Sequence, residues 1–222
     1  MKTVICTVLL FALQTAHART FDSLSAQADY FQKLYANAPN STTINTKSEM
    51  ATGETRPKAV LKGVYYFGGS DGKRTPLSAA YQTKLCGHGF AQAYSVYNQV
   101  GASACNGLNY NFIGQATATS NGGPKVAALM QEIYKIIKGN GRLGPIYLHC
   151  YYGVHASNTI SQMVLKQFCG IDDATAISNW NKVNYLNSLL EPGPTNEKAK
   201  IQAYRPDPSL AITPEERAVV CY

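Results

Sequence analysis

The sequence predicts an α/β protein, a mostly parallel central sheet flanked by helices in a single domain. Three observations predict it. From residue 59 onward, strand-like runs alternate with helical patterns, the order expected of parallel strands joined by crossover helices. The strand-like runs are short, apolar and bounded by turn residues, whereas the helical stretches carry apolar stripes at spacings of three and four. About 200 of the 222 residues remain once an N-terminal leader is set aside, enough for one domain with a substantial core, and no internal repeat is present.

The leader is MKTVICTVLLFALQTAHA, residues 1–18. Lys2 supplies the positive start, Val4 to Leu13 the apolar stretch, and Ala16-His17-Ala18 a small-x-small cleavage site after Ala18. The apolar run is too short for a stable membrane anchor, and no later stretch is long enough to span a bilayer. A secreted or periplasmic protein with no membrane span is the expectation. Losing Lys2 lowers the formal charge from +7 to +6. The basic residues are scattered, which argues against a nucleic-acid footprint. The mild excess of positive charge suits an anionic ligand, or serves only solubility. Five cysteines remain after cleavage, at 86, 105, 150, 169 and 221. An odd number in an exported chain suggests bridged pairs plus one free thiol. Four cysteines allow three pairings, and spacing does not choose among them. If Cys150 is the odd one, Cys86–Cys105 with Cys169–Cys221 is one choice.

Residues 19–58 read as an N-terminal extension. Phe21, Leu24, Phe31 and Leu34 mark a short helix, followed by a loop rich in Asn, Ser, Thr and Pro. Residues 59–222 read as the domain proper. AVLKGVYYFGG is a strand ending in a glycine turn. Thr75-Pro76 looks like a helix start, with Thr as N-cap and Pro at the first helical position. Leu77, Tyr81 and Leu85 share one face of that helix, Gly87 and Gly89 stop it, and His88 is placed over its last carbonyls. FAQAYSVYN and GLNYNFIG are the next strands. Asn121 to Pro124 opens a helix whose stripe is Val126, Leu129, Met130, Ile133, Ile136 and Ile137, with Lys135 and Lys138 opposite. Gly139-Asn140-Gly141 ends it. PIYLHC is a short strand. Ile160, Met163, Val164 and Phe168 carry a helix over 156–169, closed by Gly170. Asp172-Asp173 caps another helix through Trp180 and Leu186. Residues 191–194 are a break, 196–204 are helical, and Thr213-Pro214-Glu215-Glu216 fits a capping box for a last helix.

The chemistry concentrates in HCYYGVHAS, residues 149–157. Ligands of such sheets bind beyond the carboxyl ends of the strands, and Cys150 stands at such an end. A turn opening a helix aims several backbone N–H groups at one point, and the helix dipole adds favourable potential for an anion. A cysteine there has its thiolate stabilised, and a small residue such as Gly153 admits close approach of the backbone to a ligand.

The run strand-His-Cys-x-x-Gly-x-x-x-Ser-helix resembles the signature of the cysteine-dependent tyrosine and dual-specificity phosphatases, and the order of elements over about 59–190 is similar to theirs. The resemblance implies a tyrosine-phosphatase-like fold and assigns roles. Cys150 matches the nucleophile that forms a phosphocysteine, and His149 the residue that helps set it. Tyr151, Tyr152, Gly153, Val154, His155 and Ala156 match the anion-binding loop. Ser157 matches the hydroxyl that assists breakdown of the intermediate. Two departures follow. The family's arginine, six residues after the cysteine, is Ala156 here; a guanidinium there would grip two phosphoryl oxygens. The family's acid, an aspartate about thirty residues before the cysteine, faces QATATSNGG, and no Asp or Glu occurs between Asp71 and Glu132.

An arginine on a transferring phosphoryl group is worth roughly 10³–10⁵ in rate in related chemistry, and a positioned acid about 10²–10⁴. The expectation is a degenerate, pseudophosphatase-like member that binds a phosphorylated or other anionic ligand, or a protein partner, without turnover. The alternative is a divergent phosphatase hydrolysing phosphoesters through Cys150, with His155, Lys73 or Arg74 in place of the arginine. A thiol function unrelated to phosphate is a third reading. No second His/Cys pair lies at metal-ligand spacing, and neither metal nor cofactor is expected.

Overall fold

The computed structural model describes residues 19–35, 57–70, 76–97, 101–113, 123–140, 143–188 and 196–222. The leader, Lys73 and Arg74, Thr75, Asn121 and the break at 191–194 lie outside them. Five strands are present among the described residues: β1 (Lys58–Leu61), β2 (Tyr65–Gly69), β3 (Gln92–Ser95), β4 (Asn109–Phe112) and β5 (Ile146–Cys150). The helices are α1 (Leu24–Leu34), α2 (Ala79–His88), α3 (Gly123–Lys138), α4 (Ala156–Cys169), α5 (Asp173–Ser188), α6 (Asn196–Ala203) and α7 (Pro214–Val220). The sheet order is β1-β2-β5-β3-β4, with β1 antiparallel to β2 and every other pair parallel. The chain is thus an α/β single domain with a mostly parallel sheet.

Side chains alternate across each strand, and this sorts the core into two layers. Tyr65, Phe67, Ile146, Leu148 and Cys150 face α3 and α4 in the larger apolar cluster. Tyr66, Tyr147, Ala93 and Tyr110 face α1 and α2 in the smaller one. The stripe read on α3 is buried as expected, from Val126 to Ile137. Helix α4 differs from its one-faced reading: every residue from Ala156 to Phe168 is buried. The sheet covers one side and α5 and α6 cover the other, and polar residues such as Asn158 and Gln167 are bonded internally. Asn158 Nδ2 donates to Trp180 O (3.3 Å), and Gln167 Nε2 to Asp207 O (2.9 Å).

Three local readings are corrected. The expected single strand over 59–69 is a hairpin, because the chain reverses at Lys62-Gly63-Val64. Gly63 has φ +68°, and a Cβ there would stand 2.7 Å from Ala28 Cα. Only glycine lets α1 pack this closely on the turn. Helix α2 begins three residues after Pro76, with Ser78 as its cap, whose Oγ accepts from Tyr81 N (3.1 Å). Gly87 stays inside this helix, and Gly89, left-handed at φ 94°, ends it. Finally, His88 does not cap α2: its Nδ1 stands 2.8 Å from Tyr35 Oη, at the end of α1. The helix of the N-terminal extension is therefore folded into the domain, with Phe31 fully buried against Tyr66 and Phe90.

Cys169, the last residue of α4, forms a disulfide with Cys221 after α7. Such a bridge is consistent with an oxidising compartment. Cys86 Sγ lies 3.2 Å from Asn106 O and Cys105 Sγ 3.5 Å from Gln82 O, so the end of α2 and the 101–107 segment meet at these sulfurs. No helix among the described residues is long and apolar enough to cross a membrane.

Candidate functional site

Strand β5 lies at the centre of the sheet, between β2 and β3, and delivers Cys150 at its carboxyl end. Residues 151–155 then turn the chain into α4. The turn is stitched to the end of β2. Ser70 N donates to both Cys150 O (2.8 Å) and Tyr151 O (3.1 Å), and Tyr152 bridges Gly69. Gly153 has φ +66°, and a Cβ on it would stand 2.6 Å from Gly69 N and 2.8 Å from Gly68 Cα. The glycine read as allowing a ligand to approach is thus required by the protein's own backbone, where β2 and the turn cross. Helix α4 starts at Ala156 with His155 as N-cap, and the His155 side chain makes no capping bond. The first N–H groups of α4 are therefore not covered by a cap side chain.

The Cys150 side chain is 4 % exposed and points to the α4 face of the sheet. Its Sγ is 3.1 Å from Ser157 Oγ, and Ser157 Oγ lies 3.3 Å from Gly68 O. The pairing of cysteine and hydroxyl read from the sequence is therefore a direct contact. Ala156 is 1 % exposed and belongs to the same apolar cluster as Cys150, so a methyl packed into the core occupies the position that the phosphatase resemblance reserves for a guanidinium.

His149, one residue earlier, faces the opposite side. Its ring stacks on Tyr147 (6.2 Å between centroids), and its Nε2 is 2.7 Å from Tyr110 Oη. Leu77 N already donates to that phenolic oxygen (2.8 Å). The set is satisfied when the phenol donates to Nε2 and the imidazole keeps its own proton on Nδ1. Nδ1 then stands 3.4 Å from Cys150 O. His149 thus reaches the loop through a backbone carbonyl, while the thiol lies on the far side of the strand.

Around the turn stands an aromatic rim. Tyr151 stacks on Tyr97, which follows β3, at 4.7 Å. Burial, aided by Cys150, Glu197 and Tyr151, pushes the Tyr97 phenol up. On the other side the His155 ring lies 6.4 Å from that of Trp180, and Trp180 Nε1 donates to Thr159 Oγ1 (3.0 Å). Lys198 Nζ sits 5.6 Å from the Trp180 ring centroid. Trp180, Tyr97, Glu197 and Lys198 were not singled out from the sequence as site residues. They arrive from α5, α6 and the end of β3, and only their charge and aromatic character could have flagged them. Among the described residues no group of three His, Cys, Asp or Glu side chains could hold a metal ion. A separate cavity of ≈ 610 Å³ lies between β4 and α3, lined by residues that include Tyr94, Asn111, Lys125 and Glu132.

The arrangement sets a buried thiol against a hydroxyl where the turn after β5 runs into α4. No protein-family model matches the chain, and no curated protein matches it in sequence, so a functional reading stands on the loop and its geometry.

Proposed function

We propose that the chain is an exported, degenerate member of the cysteine-dependent phosphatase superfamily that binds a phosphorylated or other anionic ligand at residues 150–157 without turning it over. A ligand presented on a partner protein would dock in the same way. The observation that carries the reading is the pairing of a kept Cys150–Ser157 contact (3.1 Å) with a core-packed Ala156. A strand-to-helix turn whose first amides are not capped favours an anion, and the absence of a guanidinium removes the group that stabilises charge in transfer. The disulfide at the far end of α4 supports export.

The test uses purified mature chain. Inorganic phosphate is titrated by calorimetry or by amide shifts of 151–157, and p-nitrophenyl phosphate is offered as substrate. Binding with no turnover above the uncatalysed rate is expected. Turnover lost in Cys150→Ser would replace this reading with the divergent-phosphatase one.

A further inference from the structure

Strands β3 and β4 are parallel neighbours, so the chain must cross over between them. Such crossovers are usually made by a helix, whose apolar stripe packs it onto the sheet. Here residues 101–108, the described part of the crossover next to β4, hold no helix. Another device has to fasten this segment, and α2 supplies part of it. Gln82 Oε1 accepts from Ala104 N (2.8 Å), while Gln82 Nε2 donates to Leu77 O (2.8 Å). Ser103 Oγ braces Cys105, accepting from its N–H (3.3 Å) and donating to its carbonyl (3.1 Å).

Two cysteines stand where the segment meets α2. Cys105 Sγ is 3.5 Å from Gln82 O, the carbonyl that an α-helix directs at the N–H of residue 86. Cys86 Sγ is 3.2 Å from Asn106 O, one residue past Cys105. Each sulfur thus lies beside the backbone around the other cysteine. Cys86 belongs to the smaller apolar cluster, on the α1 and α2 side of the sheet, and Cys105 packs against it. Cys150, Cys169 and Cys221 are all placed with the larger cluster on the opposite side, and the last two are already joined. The sheet therefore separates Cys86 and Cys105 from every other sulfur of residues 19–222. Spacing in the sequence leaves the pairing open, and the topology closes it.

We infer that Cys86 and Cys105 form a second disulfide, a clip that ties the crossover to α2 in place of a packed crossover helix. In the structure both are thiols, Cys86 buried and Cys105 half-buried. Forming the bond takes one proton and one electron from each. A small disulfide such as oxidised glutathione accepts them by exchange and leaves as two thiols. The closed ring encloses β3 and Tyr97, the residue stacked on Tyr151 beside the cysteine loop. With both bridges closed, Cys150 is the sole thiol of residues 19–222.

The test exposes the mature chain to excess oxidised glutathione, then denatures it without reductant, alkylates it with iodoacetamide and maps the peptides by mass spectrometry. A peptide linking Cys86 to Cys105 is expected beside the Cys169–Cys221 linkage, with alkylation at Cys150 alone. In Cys86→Ser, Cys105 should become a second alkylated site. The oxidised variant should melt roughly 6–12 °C below the oxidised native chain, the worth of a bridge over a loop of this size. Alkylation of Cys86 and Cys105 in the native chain would overturn the inference, whether or not Cys169 and Cys221 are linked. So would a linkage of either to Cys150. An unchanged Tm in the variant would overturn the clip as a fastening even where the bond forms. Should Cys86→Ser fail to fold, Cys105→Ser, at the less buried of the two positions, takes its place. None of these outcomes depends on whether the Cys150 loop binds phosphate.

Discussion

The two ends of α4 are built from the same kinds of residue and do opposite things. At its C-terminal end, Cys169 is bonded to Cys221, Gly170 turns the chain at φ 70°, and Lys166 is buried between the carbonyls of Ile201 and Tyr204 and the carboxylate of Asp173 (2.6 Å). The side chains of Cys169 and Lys166 are both bonded there. At the N-terminal end, Cys150 keeps its thiol against Ser157, and the N-cap side chain makes no capping bond. The comparison teaches that one fully buried helix can be locked at one end and left chemically open at the other. Stability is expected to be concentrated at the first end and ligand recognition at the second.

The largest effect should come from unlocking the closed end. Cys169 and Cys221 are 52 residues apart, and a bridge across such a loop stabilises by about 4 kcal/mol. The double variant Cys169→Ser/Cys221→Ser should lower Tm by roughly 8–16 °C, yet bind phosphate normally well below its Tm. If binding falls in proportion to stability, the two ends are not separable.

Gly153→Ala attacks the open end through its backbone. The left-handed φ of +66° and the approach of Gly68 and Gly69 together should cost about 3 kcal/mol. Phosphate binding should be lost even where the chain remains folded, as amide shifts of 151–157 would reveal.

Ala156→Arg adds the missing cation, but at a site buried in the apolar cluster. Overpacking should cost about 1–3 kcal/mol. Turnover of p-nitrophenyl phosphate should stay at background, because no Asp or Glu occurs between Asp71 and Glu132, the stretch that faces the family's acid. Turnover approaching that of a working phosphatase would show that the arginine alone had been missing.

The smallest effect lies just beyond the closed end. Hydrogen bonds from Thr175, first side chain and then backbone, hold the exposed Asp172 carboxyl below its ordinary 3.8. A carboxyl lowered on folding contributes stability above the unfolded value, which is lost as pH falls through the folded one. Tm should therefore decline more steeply below about pH 4 in the native chain than in Asp172→Asn.

Much of this architecture was legible in the chain. The α3 stripe, the helix 156–169 with its closing glycine, and the Thr213 capping box, in which Thr213 Oγ1 accepts from Glu216 N (3.2 Å), follow from periodicity and local hydrogen bonding. The hairpin at Gly63 was not legible, since its turn is imposed by α1 packing from 35 residues earlier. Neither was the all-round burial of α4, because residues such as Asn158 and Gln167 look solvent-facing until their distant partners are known.

The candidate site divides along the same line. Sequence alone determined that a cysteine would stand at a strand end before a helix, with a glycine and a serine at set spacings and an alanine six residues after the cysteine. These are short-range facts, carried by a turn and its first helical residues. Only the tertiary structure decided what surrounds that turn. It placed His149 on the far face with Tyr110, stacked Tyr97 on Tyr151, and brought the Trp180 ring near that of His155. The physical reason is that side chains alternate across a strand and helices pack by face, so neighbours in sequence are separated and residues as far apart as Tyr110 and His149 meet.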